Sequence, residues 1–115
     1  MRFRAGAELE AFPGHLNGGI AGTLVDCHMN WTATHALMRR LGLDAPPCTV
    51  TASYSIRFMK PIPTRDEIEV VAHATDVQDD RAKVEALLLS NGTECASATG
   101  SFVAVKEGHP AFHRW

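Results

Sequence analysis

The feature that most constrains the fold of this chain is a single long helical pattern, followed only by strand patterns. Across residues 18–41, apolar side chains recur at spacings of three, four and seven. They are Ile20, Leu24, Cys27, Trp31, Met38 and Leu41. Gly18 and Gly19 open the pattern, and Gly42 follows it as a typical C-terminal stop. The sequence therefore predicts one helix over about residues 18–41, with this apolar stripe facing the core.

Four strand patterns follow the helix, at residues 49–59, 66–77, 81–90 and 94–105. The first alternates between an apolar face, from Val50 to Phe58, and a polar face that carries Thr49, Thr51 and Ser53. Asn91-Gly92 is a strong signal for a two-residue hairpin. Small residues in the last strand would let a sheet lie close against the helix: Ala96, Ala98, Gly100 and Ala104. We predict one α+β domain over residues 1–115, a four-strand antiparallel meander curled around a central helix.

Composition excludes several classes of protein. The 115 residues carry a formal net charge of −2, and basic residues form no run longer than Arg39-Arg40. A nucleic-acid binder usually needs a basic stripe to neutralise phosphates. The apolar runs are too short to span a bilayer, and three widely spaced cysteines fit reduced thiols. We therefore expect a cytoplasmic protein with neither a nucleic-acid nor a membrane partner.

The residues that point to chemistry are Asn17-Gly18-Gly19 and, nine positions after Asn17, Asp26. A helix N-terminus presents backbone N–H groups that can stabilise a developing negative charge. Asp26 is the only carboxylate between Glu10 and Asp44, and mid-helix is an unfavourable place for an aspartate without a role. We interpret the Gly18 N–H, with Gly19 beside it, as the oxyanion donor of a thioester hydrolase. Asp26 would be its nucleophile or its general base.

If Gly18 and Asp26 act on the same substrate, their spacing along the helix predicts that they come from different subunits. Eight residues separate Gly18 from Asp26, or about 12 Å along the axis at ~1.5 Å per residue. A reacting carbonyl must lie within about 3 Å of both groups. If both act on one substrate, the protein is a two-fold dimer with two shared sites.

Other polar residues near this block allow more than one interpretation. Asn17 suits a helix N-cap, and its amide could equally donate to the substrate or to Asp26 of the partner subunit. His28 and His35 lie on the helix, but zinc needs three or four ligands, so no metal site is predicted. Cys27 falls on the apolar stripe and is predicted to be a buried structural cysteine rather than a nucleophile.

The segments Pro13-Gly14, Asn17–Asp26, Thr51–Pro61 and Ala98–Val103 together resemble the hotdog-fold acyl-CoA thioesterases of the phenylacetic-acid-degradation type. The resemblance implies an antiparallel sheet wrapped around one helix, assembled as a homodimer or a homotetramer. It implies an acyl-CoA thioester as substrate and no cofactor. It also implies the roles given above for Gly18 and Asp26, and a role for Thr51 in holding the attacking water.

The chain departs from that family in two places. Members commonly have histidine where Asn17 stands. They also carry a helix and a first strand ahead of the Pro13-Gly14 turn, where this chain has only about a dozen residues. A sheet with one short edge, or a truncated form of the protein, is therefore expected.

Two other functions compete with hydrolysis. Hotdog dehydratases acting on acyl-carrier-protein substrates share Phe12-Pro13-Gly14, but they need a histidine and a glutamate where this chain has Ala11 and Val25. That disfavours the dehydratase. A non-catalytic acyl-CoA-binding sensor or scaffold stays open. The acyl group is open too, since aryl, short-chain and medium-chain thioesters all fit the pattern.

Overall fold

The computed structural model describes residues 1–112 and contains one long helix and seven strands. The helix, α1, spans Gly18–Leu41, which confirms the predicted bounds. It ends at Gly42, whose φ of 65° is left-handed. The strands are β1 (Arg2–Phe3), β2 (Glu10–Phe12), β3 (His15–Leu16), β4 (Thr49–Phe58), β5 (Ile68–Val77), β6 (Arg81–Ser90) and β7 (Thr93–Ala104).

Five strands form one antiparallel sheet in the order β1-β5-β6-β7-β4, while β2 and β3 form a separate hairpin. The predicted meander is correct for β5, β6 and β7, but wrong for β4, which pairs with β7 at the edge of the sheet. Tight turns join β5 to β6 and β6 to β7, whereas residues 59–67 link β4 to β5 and include Pro61 and Pro63. A link of that length can carry the chain from β4, at one edge of the sheet, past β7 and β6 to β5.

The opposite edge of the sheet is short, as expected. β1 covers β5 through only two residue pairs, Arg2 with Glu69 and Phe3 with Ile68. The hairpin at Asn91-Gly92 is also confirmed, because both residues have positive φ, 50° and 80°. A turn of this kind matches the right-handed twist of the strands that it joins.

The predicted apolar stripe of α1 meets the core only in part, through the partly buried side chains of Ile20 and Leu24. The buried apolar side chains of the helix are Ala21, Val25, Met29, Ala33 and Leu37. Cys27 is exposed and Trp31 is 51% exposed, so the predicted burial of Cys27 is wrong. The helix carries apolar residues on two faces, and spacing alone does not tell which of them packs on the sheet.

A bulge in β4 changes the predicted alternation of its side chains. Thr51 pairs with Phe102 and Ser53 with Ser101, so Ala52 is one extra residue in β4. Such a residue re-aims the side chains on either side of it. Before the bulge Thr51 faces α1, and after it the even-numbered residues, beginning with Tyr54, face α1. The predicted placement of Thr51 on the face opposite Tyr54 is therefore wrong.

The inner face of β7 is as predicted, with Ala96, Ala98, Gly100 and Phe102 buried against α1. No helix within the described residues is both long and apolar enough to cross a membrane.

Candidate active site

The start of α1 presents one open backbone donor. The Oδ1 atom of Asn17 accepts a hydrogen bond of 2.7 Å from the Gly19 N–H, which makes Asn17 an N-cap. The Gly19 N–H is therefore already engaged. Within residues 1–112, the Gly18 N–H has no hydrogen-bond acceptor, and Gly18 is exposed. Of the two predicted oxyanion donors, Gly18 is the one whose N–H is available to a ligand.

The carboxylate of Asp26 lies against β4. Asp26 is half-buried, and the Thr51 hydroxyl donates to its Oδ1 atom over 2.8 Å. The bulge at Ala52 makes this contact possible, since it leaves Thr51 on the helix-facing side. Two of the predicted site residues thus meet within one chain, with a carboxylate oxygen oriented by a hydroxyl.

A second polar contact, which the sequence analysis missed, anchors the start of β4 to the helix. Thr49 donates from its hydroxyl to the Asn30 Oδ1 atom over 2.6 Å. The Thr34 hydroxyl lies 2.5 Å from that of Thr49 and donates to it, because the Thr49 proton is already used. The signal in the sequence was the spacing of Asp26, Asn30 and Thr34, which puts three polar side chains along one line of the helix.

The structure does not bring Gly18 and Asp26 together within one chain. Both lie on the continuous helix α1, so their separation of about 12 Å along its axis stands. A second copy of the chain is required for both groups to contact one carbonyl.

The remaining candidates stay apart from this site. Burial lowers the pKa of His28 below its usual value, while His35 is exposed on the helix. No group of three or more histidine, cysteine or acidic side chains suited to a metal occurs within residues 1–112. That the protein uses neither a metal nor a cofactor stays a prediction.

A groove of about 380 Å³ lies on the opposite, outer face of the sheet. Arg57, His73 and Glu85 line it, and the last two form a contact of 3.5 Å between Nε2 and Oε2. Neither Gly18, Asp26 nor Thr51 borders this groove. We therefore place the candidate site at the junction of α1 and β4, where Asp26 meets Thr51.

Comparison with protein families identifies the chain. The model of the thioesterase superfamily matches residues 13–97, a range that contains Gly18, Asp26 and Thr51. The chain belongs to the thioesterase superfamily. Its antiparallel sheet with one long helix is the hotdog fold of that superfamily. No curated protein matches the chain in sequence.

Several solved structures share this fold. A thioesterase superfamily protein from Shewanella loihica is 28% identical, with a TM-score of 0.77 over 91% of this chain and 81% of the other. A Bacillus halodurans protein solved with CoA is 25% identical, with a TM-score of 0.76 over 92% and 66% of the two chains. A thioesterase from Thermus thermophilus, complexed with coenzyme A and Zn, is 20% identical, with a TM-score of 0.74 over 97% and 82%.

Proposed function

We propose that this member of the thioesterase superfamily hydrolyses acyl-CoA thioesters to the free acid and CoA, as a phenylacetic-acid-degradation-type thioesterase. Membership of the superfamily supports thioester chemistry. The CoA in the structure of the Bacillus halodurans protein supports a CoA ester as substrate. We place the activity in the cytoplasm, because three widely spaced cysteines suit a reducing compartment.

The observation that carries this proposal is the contact between Thr51 and Asp26. The Thr51 hydroxyl engages one carboxylate oxygen, and the other oxygen of Asp26 has no hydrogen-bond donor within residues 1–112. That free oxygen can act in two ways. It can attack the thioester carbon, expel the CoA thiolate and form an anhydride that water then cleaves. It can instead remove a proton from a water molecule that attacks the carbon, with the Thr51 oxygen accepting a hydrogen bond from that water.

The Gly18 N–H supplies the second requirement of the reaction. The carbonyl oxygen gains negative charge as the carbon becomes tetrahedral, and a fixed N–H directed at it stabilises that state by about 2.7–4 kcal/mol. The capping of Gly19 by Asn17 keeps the first turn in place. The Gly18 N–H can then point at the substrate without rearrangement of the helix.

We propose that the acid comes from the second subunit of a homodimer. Gly22 lies midway between Gly18 and Asp26 on α1. A two-fold axis perpendicular to the helix at the level of Gly22 therefore brings Gly18 of one protomer level with the partner's Asp26. Two such sites form in each dimer, and pairs of dimers would give the tetramer expected from the resemblance.

Exposed apolar surface on the same side of the molecule supports this assembly. The free edge of β4 has no strand partner within residues 1–112. Large side chains on β4 and on the residue after it are also exposed: Tyr54 by 42%, Phe58 by 48% and Met59 by 47%. Unpaired strand edges and apolar patches of this kind are typical of interfaces.

Release of free thiol from a panel of acyl-CoA esters tests the proposed activity. We expect the wild-type protein to release CoA, and Asp26→Asn to lower kcat by at least about a hundredfold while the thermal unfolding curve is unchanged. Asparagine keeps the size of the side chain but removes its charge. A folded Asp26→Asn protein with most of the activity would remove Asp26 from the mechanism. Binding of acyl-CoA without turnover by the wild type would favour the sensor or scaffold.

A further inference from the structure

Strand β4 lies along one face of α1 and runs in the opposite direction to the helix. The helix residues that lie against it recur every four positions: Gly18, Gly22, Asp26, Asn30 and Thr34. Their partners on the strand follow in reverse order: Phe58, Tyr54, Thr51 and Thr49, the last of which contacts both Asn30 and Thr34. Aromatic rings pack on glycines at one end of this face, and hydrogen bonds join the two elements at the other. The contact between Thr51 and Asp26 lies between the two ends.

The contact between Thr51 and Asp26 is poorly protected by its own surroundings. Thr51 is exposed, so water competes for its hydroxyl and for the carboxylate. β4 is an edge strand that pairs with β7 alone, and the bulge at Ala52 interrupts this pairing directly after Thr51. A hydroxyl held 2.8 Å from a carboxylate in such a place needs a strand that is fixed from elsewhere.

The side chains of Thr34, Thr49 and Asn30 fix the start of β4 on the helix. Thr34 is 0% exposed and Thr49 is 4% exposed. Thr34 donates to the Thr49 hydroxyl over 2.5 Å, and Thr49 donates to the Asn30 Oδ1 atom over 2.6 Å. Sliding of the strand would break these bonds where water does not replace them, so the group opposes such movement.

This polar group is connected directly to the candidate site through the backbone. Thr49 lies two residues before Thr51, on the same side of β4. Asn30 lies one helical turn after Asp26, on the same side of α1. The alignment of Thr49 with Asn30 therefore sets the alignment of Thr51 with Asp26.

We propose that Thr34, Thr49 and Asn30 position the Thr51 hydroxyl on Asp26, with Thr49 as the central positioning residue of the reaction. The inference rests on the proposed function, because the orientation of the carboxylate affects turnover only if Asp26 reacts. The three residues act through the β4 backbone and Thr51, without contact with the substrate. Their loss should therefore lower kcat and leave KM little changed.

Thr49→Val tests this role, because valine has nearly the same shape but no hydroxyl. The Thr34 hydroxyl can then bond to the backbone carbonyl one turn before it, so the variant should fold. We expect kcat to fall by at least about tenfold, since small displacements of catalytic groups are costly. Thr49→Ser keeps the hydroxyl and should keep most of kcat. Thr32→Val is the matched control with unchanged kcat, because the Thr32 hydroxyl donates to the His28 carbonyl within the helix itself, over 2.9 Å.

Asn30→Ala is the second variant, since it removes the acceptor at the half-buried end of the group and disturbs the core least. It should lower kcat in the same way as Thr49→Val, with a thermal unfolding curve that shows a folded protein. A folded Asn30→Ala or Thr49→Val protein with unchanged kcat would overturn the positioning role and leave the hydrolase standing.

The same substitution in a Thr51→Val background separates positioning from general damage to the fold. If Thr49 acts through Thr51, Thr49→Val should lower kcat in the wild-type background and have no further effect once Thr51 is valine. An equal loss of kcat in both backgrounds would show that Thr49 does not act through Thr51, and would overturn the proposal.

A crystal structure of Thr49→Val tests the positioning without any measurement of activity. We expect the Thr51 hydroxyl to lie beyond hydrogen-bond distance of Asp26. Retention of the 2.8 Å contact would overturn the positioning role, whether or not the protein is a hydrolase. Loss of the contact, together with a wild-type protein that cleaves no acyl-CoA ester, would support the positioning of Thr51 and refute the hydrolase alone.

Discussion

At the residue scale, Asn17 caps the helix directly beside Gly18, the proposed oxyanion donor. Its side-chain oxygen satisfies the Gly19 N–H over 2.7 Å, which leaves the Gly18 N–H as the open donor of the first turn. Where the resembled family commonly has an imidazole, this chain has an amide that stabilises the helix start. The two roles considered for Asn17 therefore use different atoms, because the side-chain nitrogen is not needed for the cap.

Substitution of Asn17 by alanine and by serine distinguishes those roles. Alanine removes the cap and should lower the free energy of unfolding by about 1 kcal/mol, whereas serine is a comparable N-cap and should preserve it. We expect Asn17→Ser to keep most of the thioesterase activity, because the cap alone explains the residue. Urea denaturation and steady-state kinetics measure the two effects. A stable Asn17→Ser protein with greatly reduced activity would instead show that the amide nitrogen contacts the substrate.

At the scale of the elements, sequence patterns located the helix and the four strands after it because their ends carry local signals, but they missed the short strands β1, β2 and β3. Gly42 stops α1 through its left-handed conformation, and Asn91-Gly92 forms the predicted hairpin. The face of a helix has no such local signal. Cys27 and Trp31 are apolar in type, yet they are exposed, because an exposed apolar face of a helix has the same periodicity as a buried one.

The bulge in β4 was the main obstacle to predicting the site. Thr51 and Asp26 were both proposed from the sequence, but their contact over 2.8 Å depends on the extra residue at Ala52. No glycine or other recognisable signal in the segment Thr51–Ser55 marks a bulge. The edge position of β4 depends likewise on pairing with β7, a distant part of the chain.

Close packing between β7 and the helix gives a prediction at this scale. A Cβ atom at Gly100 would lie 2.7 Å from a ring carbon of Phe102, which is fully buried, and 3.3 Å from the methyl carbon of Met29. Because neither side chain has room to move, Gly100→Ala should lower the free energy of unfolding by about 1–3 kcal/mol. Urea denaturation measures this, with Ser97→Ala on the same strand as the control. An unchanged midpoint for Gly100→Ala would show that the core is loosely packed at this point.

At the scale of the whole molecule, three separate features of a single chain would each be completed by a second copy. The free edge of β4 has no strand partner within the described residues, large apolar side chains beside it are exposed, and Gly18 lies about 12 Å from Asp26 along the same helix. One two-fold axis near Gly22 would resolve all three. The pairing of two half-sites between subunits is therefore the central claim of the proposed mechanism.

Two variants that each destroy a different half-site provide the means to test that claim. Gly18→Pro removes the N–H, and proline is well tolerated at the first position of a helix. The preceding residue, Asn17, has φ of −64° and ψ of 133°, an extended conformation that is compatible with a following proline. Asp26→Ala removes the acid but keeps the Gly18 donor. Each variant alone should fold and be inactive.

The most direct measurement is the activity of Gly18→Pro and Asp26→Ala subunits that are dissociated, mixed in equal amounts and reassembled. Random pairing makes half of the dimers mixed, and each mixed dimer has one intact site of two, so activity should return to about a quarter of the wild-type value. Wild-type protein taken through the same treatment is the control. Mixed dimers that are demonstrably present but have no activity above that of the separate variants would contradict a site shared between subunits.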